Sequence, residues 1–285
     1  MIYSSERGAQ AIERRYRAYL ADWPVPSDQV TVPTREGDTF VVVSGPVDAP
    51  PVLLLHGSAA NTAMWRYDVE SWSRDFRLHA IDMIGEPGLS ARSRPELGSE
   101  AYALWLDDVL AGLGLTHASI VGVSLGGWLG LDYAVRRPGR VDRLALLCPA
   151  GIGRQKAGVL VVALLLLLFG RRGRRAAMRL VLGVSGDVGS RDFAEYVLLI
   201  NRHFRPRREK IPLFSDADLR RLTMPVLAVV GGRDRMLDSA ATRTRLEAAA
   251  PYATVRLLPE AGHLLPGQNG PILDFLRSGM QKHAQ

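Results

Sequence analysis

A serine framed by glycines, a histidine in a late glycine loop and an aspartate behind a glycine pair have the types and order that nucleophilic catalysis needs. Ser124 lies in Gly122-Val123-Ser124-Leu125-Gly126, directly after an apolar run and at the head of a helical pattern. Small residues two positions either side of a serine let the backbones pass closely at a sharp strand-to-helix turn. That turn lifts the hydroxyl out of the sheet edge, and the helix N-terminus beneath it favours developing negative charge. The five-residue pattern alone is weak evidence, because a chain with 28 glycines meets it readily by chance. Its context and its partners carry the argument.

A serine hydroxyl needs a base to take its proton, and histidine titrates in the right range. Of His56, His79, His117, His203, His263 and His283, the one suited is His263, in the loop Glu260-Ala261-Gly262-His263 after the last expected strand. Loops at the C-terminal ends of parallel strands form the crevice where ligands bind. His283 sits at the terminus, His79 within a strand and His117 at the wrong end of one. His203 falls in a helical insertion, where it could touch substrate. A carboxylate must fix the tautomer of the base. Asp234, in Gly231-Gly232-Arg233-Asp234, also follows a strand, and the order Ser124, Asp234, His263 is the expected one. Asp238 is the alternative, but it is better placed to cap the helix that follows.

The oxyanion of such a reaction needs backbone donors. Leu125, the residue after the nucleophile, supplies one. The loop His56-Gly57-Ser58-Ala59 supplies the second, by the N–H of Ser58 or else that of Ala59. His56 itself is read as bracing that loop.

The elements that must position these residues alternate along the chain. A polar helix over 4–21 precedes a hairpin, 30–33 and 39–44, turned at Glu36-Gly37-Asp38. The run 52–55 is apolar throughout, as a strand buried on both faces is. Then follow a helical 62–73, a strand at 78–81, a helix over 99–113 with Ser99 as its N-cap, a strand at 119–123, a helix over 124–137 and a strand at 144–147. Strands at 225–230 and 254–258, with helices at 238–250 and 271–282, complete the series. The pattern predicts an α/β protein with a mostly parallel eight-stranded sheet and helices on both faces. Residues 1–149 and 214–285 form the core, and the strand-free 150–213 reads as an inserted helical cap.

The 285 residues are 47% hydrophobic and 23% charged, ordinary for a globular protein. Eight of the cations, Arg143, Arg154, Lys156, Arg171, Arg172, Arg174, Arg175 and Arg179, fall in an acid-free window ending at Gly186. Removing them from the net +7 leaves the rest of the chain at −1, so the charge belongs to one segment and no nucleic-acid partner is implied. The apolar run 158–169 within it is shorter than the roughly 20 residues a membrane span needs. It reads as a buried cap helix, as the lining of a hydrophobic pocket, or as a weak contact with an anionic lipid surface beside its arginines. The single cysteine, Cys148, excludes an intrachain disulfide, and the N-terminus has no signal-peptide pattern, so a cytoplasmic setting is expected. No metal cluster and no phosphate-binding glycine motif appears, so no cofactor is expected.

Together, His56-Gly57, Asp82-Met83-Ile84-Gly85-Glu86-Pro87-Gly88-Leu89-Ser90, the Ser124 pentapeptide, Gly231-Gly232-Arg233-Asp234 and Ala261-Gly262-His263 resemble the α/β-hydrolase superfamily. They are most similar to its bacterial carboxylesterase and haloperoxidase-like members. The resemblance spans roughly residues 39–275 and is thinnest over the cap. Many relatives carry a glutamate shortly after the histidine, whereas residues 264–270 here have none. The resemblance implies a serine esterase acting on a small-molecule ester through an acyl-enzyme, and the apolar cap run 158–169 suggests a hydrophobic acyl or aromatic group. A serine at the turn, where dehalogenase and epoxide hydrolase relatives use aspartate, argues against an alkyl-enzyme. A perhydrolase-like haloperoxidase, a C–C bond hydrolase and a non-catalytic receptor remain as alternatives, and the oligomeric state is open.

Overall fold

A computed structural model describes residues 1–183 and 189–278. Eight strands form one sheet: β1 (Ser27–Val32), β2 (Thr39–Ser44), β3 (Pro51–Leu55), β4 (Arg77–Ile81), β5 (Ala118–Val123), β6 (Val141–Leu147), β7 (Val226–Gly231) and β8 (Thr254–Leu258). Their spatial order is β1-β2-β4-β3-β5-β6-β7-β8. Only β2 runs antiparallel to its neighbours, and the pairs from β4 to β8 are all parallel. This is the α/β-hydrolase fold, with the strand count and sense expected from the sequence.

The helices are α1 (Glu6–Ala21), α2 (Val69–Trp72), α3 (Ala101–Gly112), α4 (Leu125–Arg136), α5 (Ala157–Leu167), α6 (Gly170–Leu182), α7 (Arg191–His203), α8 (Asp216–Leu219), α9 (Ser239–Ala249) and α10 (Asn269–Arg277). The unbroken apolar run of β3 follows from its place in the middle of the sheet. Side chains alternate across a strand, so Leu53 and Leu55 join the core beneath α3, α4 and α9. Val52 and Leu54 join the opposite core beneath α1, α2 and α10. All four are fully buried, and each such side chain contributes about 1.5–3 kcal/mol.

Several expected elements shift. The helix expected over 62–73 is a 3₁₀ segment, Thr62–Tyr67, followed by the single turn α2. The Thr62 N–H is drawn to the buried Asp82 carboxylate at 2.9 Å and Asn61 caps Ala63. Helix α3 begins two residues after Ser99, whose hydroxyl accepts from the Ala101 N–H while Glu100 occupies the cap position. The end of the helix expected over 271–282 lies outside the described residues.

Between β6 and β7 the chain forms α5, α6, α7 and α8, and no strand of the sheet among the described residues. A buried α5 is overturned. Leu164 and Leu165 of α5, and Leu168 and Phe169 directly after it, are exposed, Leu168 by 81%. A helix apolar all round can cover only one stripe here, and that stripe includes Val159. Arg171 and Arg172 are exposed, and Glu195 of α7 pairs with both Arg171 and Arg175. Among the described residues no helix is long and apolar enough to cross a membrane.

Candidate active site

Ser124 is held at φ +53°, ψ −106°, a conformation that costs a non-glycine residue energy. The surroundings enforce it. A Cβ on Gly122 would lie 2.5 Å from the Gly126 carbonyl oxygen, and one on Gly126 would lie 2.2 Å from that of Leu55. The two glycines therefore let β5, α4 and the end of β3 meet within van der Waals distance. The Ser124 N–H donates to Leu147 O at 2.9 Å, and its carbonyl accepts from Trp128 at 3.0 Å. The turn is thus fixed at both ends.

The structure brings the three expected side chains together. His263 Nε2 lies 3.0 Å from Ser124 Oγ, and His263 Nδ1 lies 2.8 Å from Asp234 Oδ2. An ionised carboxylate only accepts, so Nδ1 carries the ring proton and Nε2 turns its lone pair to the hydroxyl. The other carboxylate oxygen, Oδ1, accepts from the N–H groups of Met236 at 2.7 Å and Leu237 at 3.0 Å. Burial opposes the charge on Asp234. The hydrogen bond and charge of His263, with those two amides, outweigh it and hold the carboxyl below its usual range. Asp234 is 3% exposed and His263 8%, so bulk water does little to weaken this pairing.

The loops that carry the acid and the base are bonded to each other. Gly232 N–H donates to Leu258 O at 2.8 Å and Arg233 N–H to Ala261 O at 2.9 Å. Gly231 lies so close to the other loop that a Cβ on it would be 2.0 Å from Gly262 O. The segment between β6 and β7 adds two ties that the sequence patterns do not announce. Leu264 N–H donates to Leu182 O at 3.0 Å at the end of α6. Lys156 Nζ donates to the Asp234 carbonyl at 2.9 Å.

The other histidines have separate occupations. His56 is fully buried, donates from Nδ1 to Gly57 O at 2.8 Å and accepts from Met83 N–H at 3.0 Å, so it braces its loop as expected. His117 pairs with Asp142, and His203 packs against the N-terminal segment beside Ser4 and Gly8. His283 lies outside the described residues. Asp238 caps α9 by accepting from Ala241 N–H at 3.0 Å, which leaves Asp234 alone on the histidine.

Of the two loop amides considered for the oxyanion, that of Ala59 is already bonded, donating to Glu86 Oε2 at 2.7 Å. The Ser58 N–H takes no acceptor among the described residues. Leu125 is the first residue of α4, where an amide has no helical acceptor. Gly57 passes beside the nucleophile, with its would-be Cβ 3.8 Å from that of Ser124.

Cys148 follows β6 at φ +42° and is buried beside the same residues. Its sulfur, Asp234 and His263 present ligand atoms within 4.8 Å of one another. Burial pushes the thiol well up and Asp234 adds to the effect, so it is neutral. Asp234 and His263 meanwhile use their facing atoms on each other, and the set is a poor metal site. An open groove of about 420 Å³ abuts Asp234, lined by Lys156, Val159, Val162, Leu180 and Arg235.

A buried Asp–His–Ser relay on the fold described above defines a class, and comparison with known proteins agrees. The model of the alpha/beta hydrolase family matches residues 52–273, and the chain belongs to that family. Carboxylesterase YbfK of Bacillus subtilis (strain 168) is 31% identical over 286 residues, spanning 94% of this chain and 95% of that one. The crystal structure of carboxylesterase CesB (YbfK) superposes with a TM-score of 0.83 at 30% identity, covering 95% of this chain and 98% of that one. Naproxen esterase (carboxylesterase NP) from Bacillus subtilis superposes with a TM-score of 0.84 at 27% identity, covering 97% and 99%.

Proposed function

We propose that this protein is a serine carboxylesterase working through an acyl-enzyme. The observation that carries the reading is the 3.0 Å approach of His263 Nε2 to Ser124 Oγ, with Nδ1 bound to a buried carboxylate. His263 takes the Ser124 proton as Oγ attacks the ester carbonyl, and Asp234 stabilises the imidazolium that results. The amides of Leu125 and Ser58 hold the oxyanion. The imidazolium then protonates the departing alcohol. A water, deprotonated by the same ring, attacks the acyl-serine and releases the acid. No step calls for a cofactor.

The substrate is a small ester with a hydrophobic acyl or aromatic group. The groove beside Asp234, whose walls include Val159, Val162 and Leu180, supports that preference. Residues 150–213 act as a cap over the site, a role supported by the Leu264–Leu182 and Lys156–Asp234 hydrogen bonds. The single cysteine fits a cytoplasmic setting. A series of p-nitrophenyl esters from acetate to laurate tests the reading. Hydrolysis that rises with chain length, and is abolished in Ser124→Ala, is expected. Absence of hydrolysis across the series would overturn it.

One observation favours a second property alongside this one. The exposed Leu164, Leu165, Leu168 and Phe169, next to Arg171 and Arg172, suit a weak contact of α5 with an anionic lipid surface.

A further inference from the structure

The turn after β4 presents an acid that neither the relay nor the core requires. Gly85 sits at φ +73°, with a would-be Cβ only 2.5 Å from Ser93 O, and the tight turn it makes points Glu86 inward, 2% exposed. Glu86 Oε2 accepts the Ala59 N–H at 2.7 Å and the Ser58 hydroxyl at 3.3 Å. Its other oxygen, Oε1, is buried without a partner among the described residues. A carboxylate so placed is costly to bury, yet it binds two successive residues of the loop that flanks the nucleophile. Ala59 is one of three non-glycine residues with positive φ among the described residues, at +56°, a strained state that persists only when its surroundings hold it.

The geometry points to Glu86 as a positioning residue for the oxyanion loop. By gripping Ala59 N–H and Ser58 Oγ it fixes the strained turn and leaves the Ser58 N–H unbonded, as a donor for the reacting oxygen. The grip belongs to the ionised carboxylate, which accepts both bonds with charge assistance. Protonation removes the charge and one acceptor site, and the loop loosens.

The groups that set this ionisation come from every side of it. Burial pushes the Glu86 carboxyl up to about 7, against the pull of the Ala59 amide, Arg94, Arg207 and the Ser58 hydroxyl. Arg94 reaches in from beyond the turn, bonded to Gly85 O at 2.9 Å. Arg207 is paired with Glu209 at 3.0 Å. Tyr102 of α3 and Tyr3 of the N-terminal segment complete the surroundings, and both phenols feel the Glu86 charge. Because the folded value lies above that of an unfolded glutamate, this carboxylate makes the fold less stable as pH rises from about 4.3 to about 7. Replacing it with a neutral isostere therefore leaves the fold intact.

This inference rests on the esterase reading, which wild-type hydrolysis of p-nitrophenyl butyrate and its loss in Ser124→Ala establish or refute independently. The test compares wild type, Glu86→Gln and Glu86→Leu on that ester, with melting temperatures measured alongside. Glu86→Gln keeps one acceptor and loses the titration, so kcat falls about fivefold with KM nearly unchanged. Glu86→Leu loses the grip, and kcat falls about a hundredfold, in the range for loss of one oxyanion donor. The wild-type to Glu86→Gln ratio of kcat/KM is about five where Glu86 is ionised and falls toward one as pH drops through the Glu86 titration. Wild-type kcat within twofold in a folded Glu86→Leu would overturn the assignment. So would a wild-type to Glu86→Gln ratio of kcat/KM that stays constant with pH.

Discussion

Gly126 approaches Leu55 so closely that a side-chain carbon on the glycine would lie 2.2 Å from the leucine's carbonyl oxygen. The nucleophile turn and the oxyanion loop are therefore not two neighbouring features but one packed unit, since the loop begins at the residue after Leu55. A single methyl between them must displace backbone, which no rotamer change can absorb.

Gly126→Ala is accordingly expected to cost about 3 kcal/mol in urea unfolding, at the upper end for overpacking a core. Its activity is expected to fall more than its stability explains. A variant with wild-type stability and turnover would show that the two segments have room to part.

Asp234→Asn keeps the shape of the side chain and its bonds to the Met236 and Leu237 amides. It removes the charge and offers the histidine an NH₂ group in place of an acceptor, which turns the ring to the wrong tautomer. Turnover is expected to drop ~10⁴-fold, by analogy with the same change in another Ser–His–Asp relay. Circular dichroism should be unchanged. A loss of tenfold or less in kcat would mean that another group orients His263.

His79 offers a test of stability separate from catalysis. It sits in β4, 5% exposed, and neither ring nitrogen has a hydrogen-bond partner among the described residues. Burial, with added repulsion from Arg77, pushes the imidazole down to about 4. An unfolded histidine titrates near 6.5. The stability this neutral ring supports is thus fully present above about 6.5 and is lost as pH falls toward about 4. Between pH 7.5 and 4.5 the wild type should lose roughly 2–3 kcal/mol more than His79→Leu, read from urea midpoints at the two pH values. Equal losses in the two proteins would contradict the burial argument.

The exposed face of α5 should give weak retention on vesicles containing anionic phospholipid, reversed by salt, and none on purely zwitterionic vesicles. Leu164→Ser combined with Leu168→Ser should abolish retention while leaving ester turnover in solution within twofold. Retention that is absent at low salt would end the interfacial reading.

Much of this was legible in the sequence because the relay is spelled by local patterns. Gly122 and Gly126 mark the turn, and Asp234 and His263 each follow a strand that periodicity reveals. The sheet was legible for the same reason, since an all-apolar β3 has few other places to go. The burial of α5 was misread because composition reports what a helix could cover, not whether anything lies opposite. Leu164 of α5 is apolar and 64% exposed. Glu86 was invisible as a working residue although its motif had been noticed. An acid in a glycine- and proline-rich turn reads as solvated until the fold shows Gly85 turning it inward. The ties of Lys156 to the Asp234 carbonyl and of Leu264 to Leu182 are likewise long-range, and no spacing along the chain announces them.

The most direct test of the account is covalent capture of the nucleophile with a fluorophosphonate probe, read by intact mass and peptide mapping. One adduct per chain, confined to Ser124 and absent from a folded Ser124→Ala, is the predicted result. An unlabelled wild type, an adduct on another residue, or equal labelling of Ser124→Ala would contradict it.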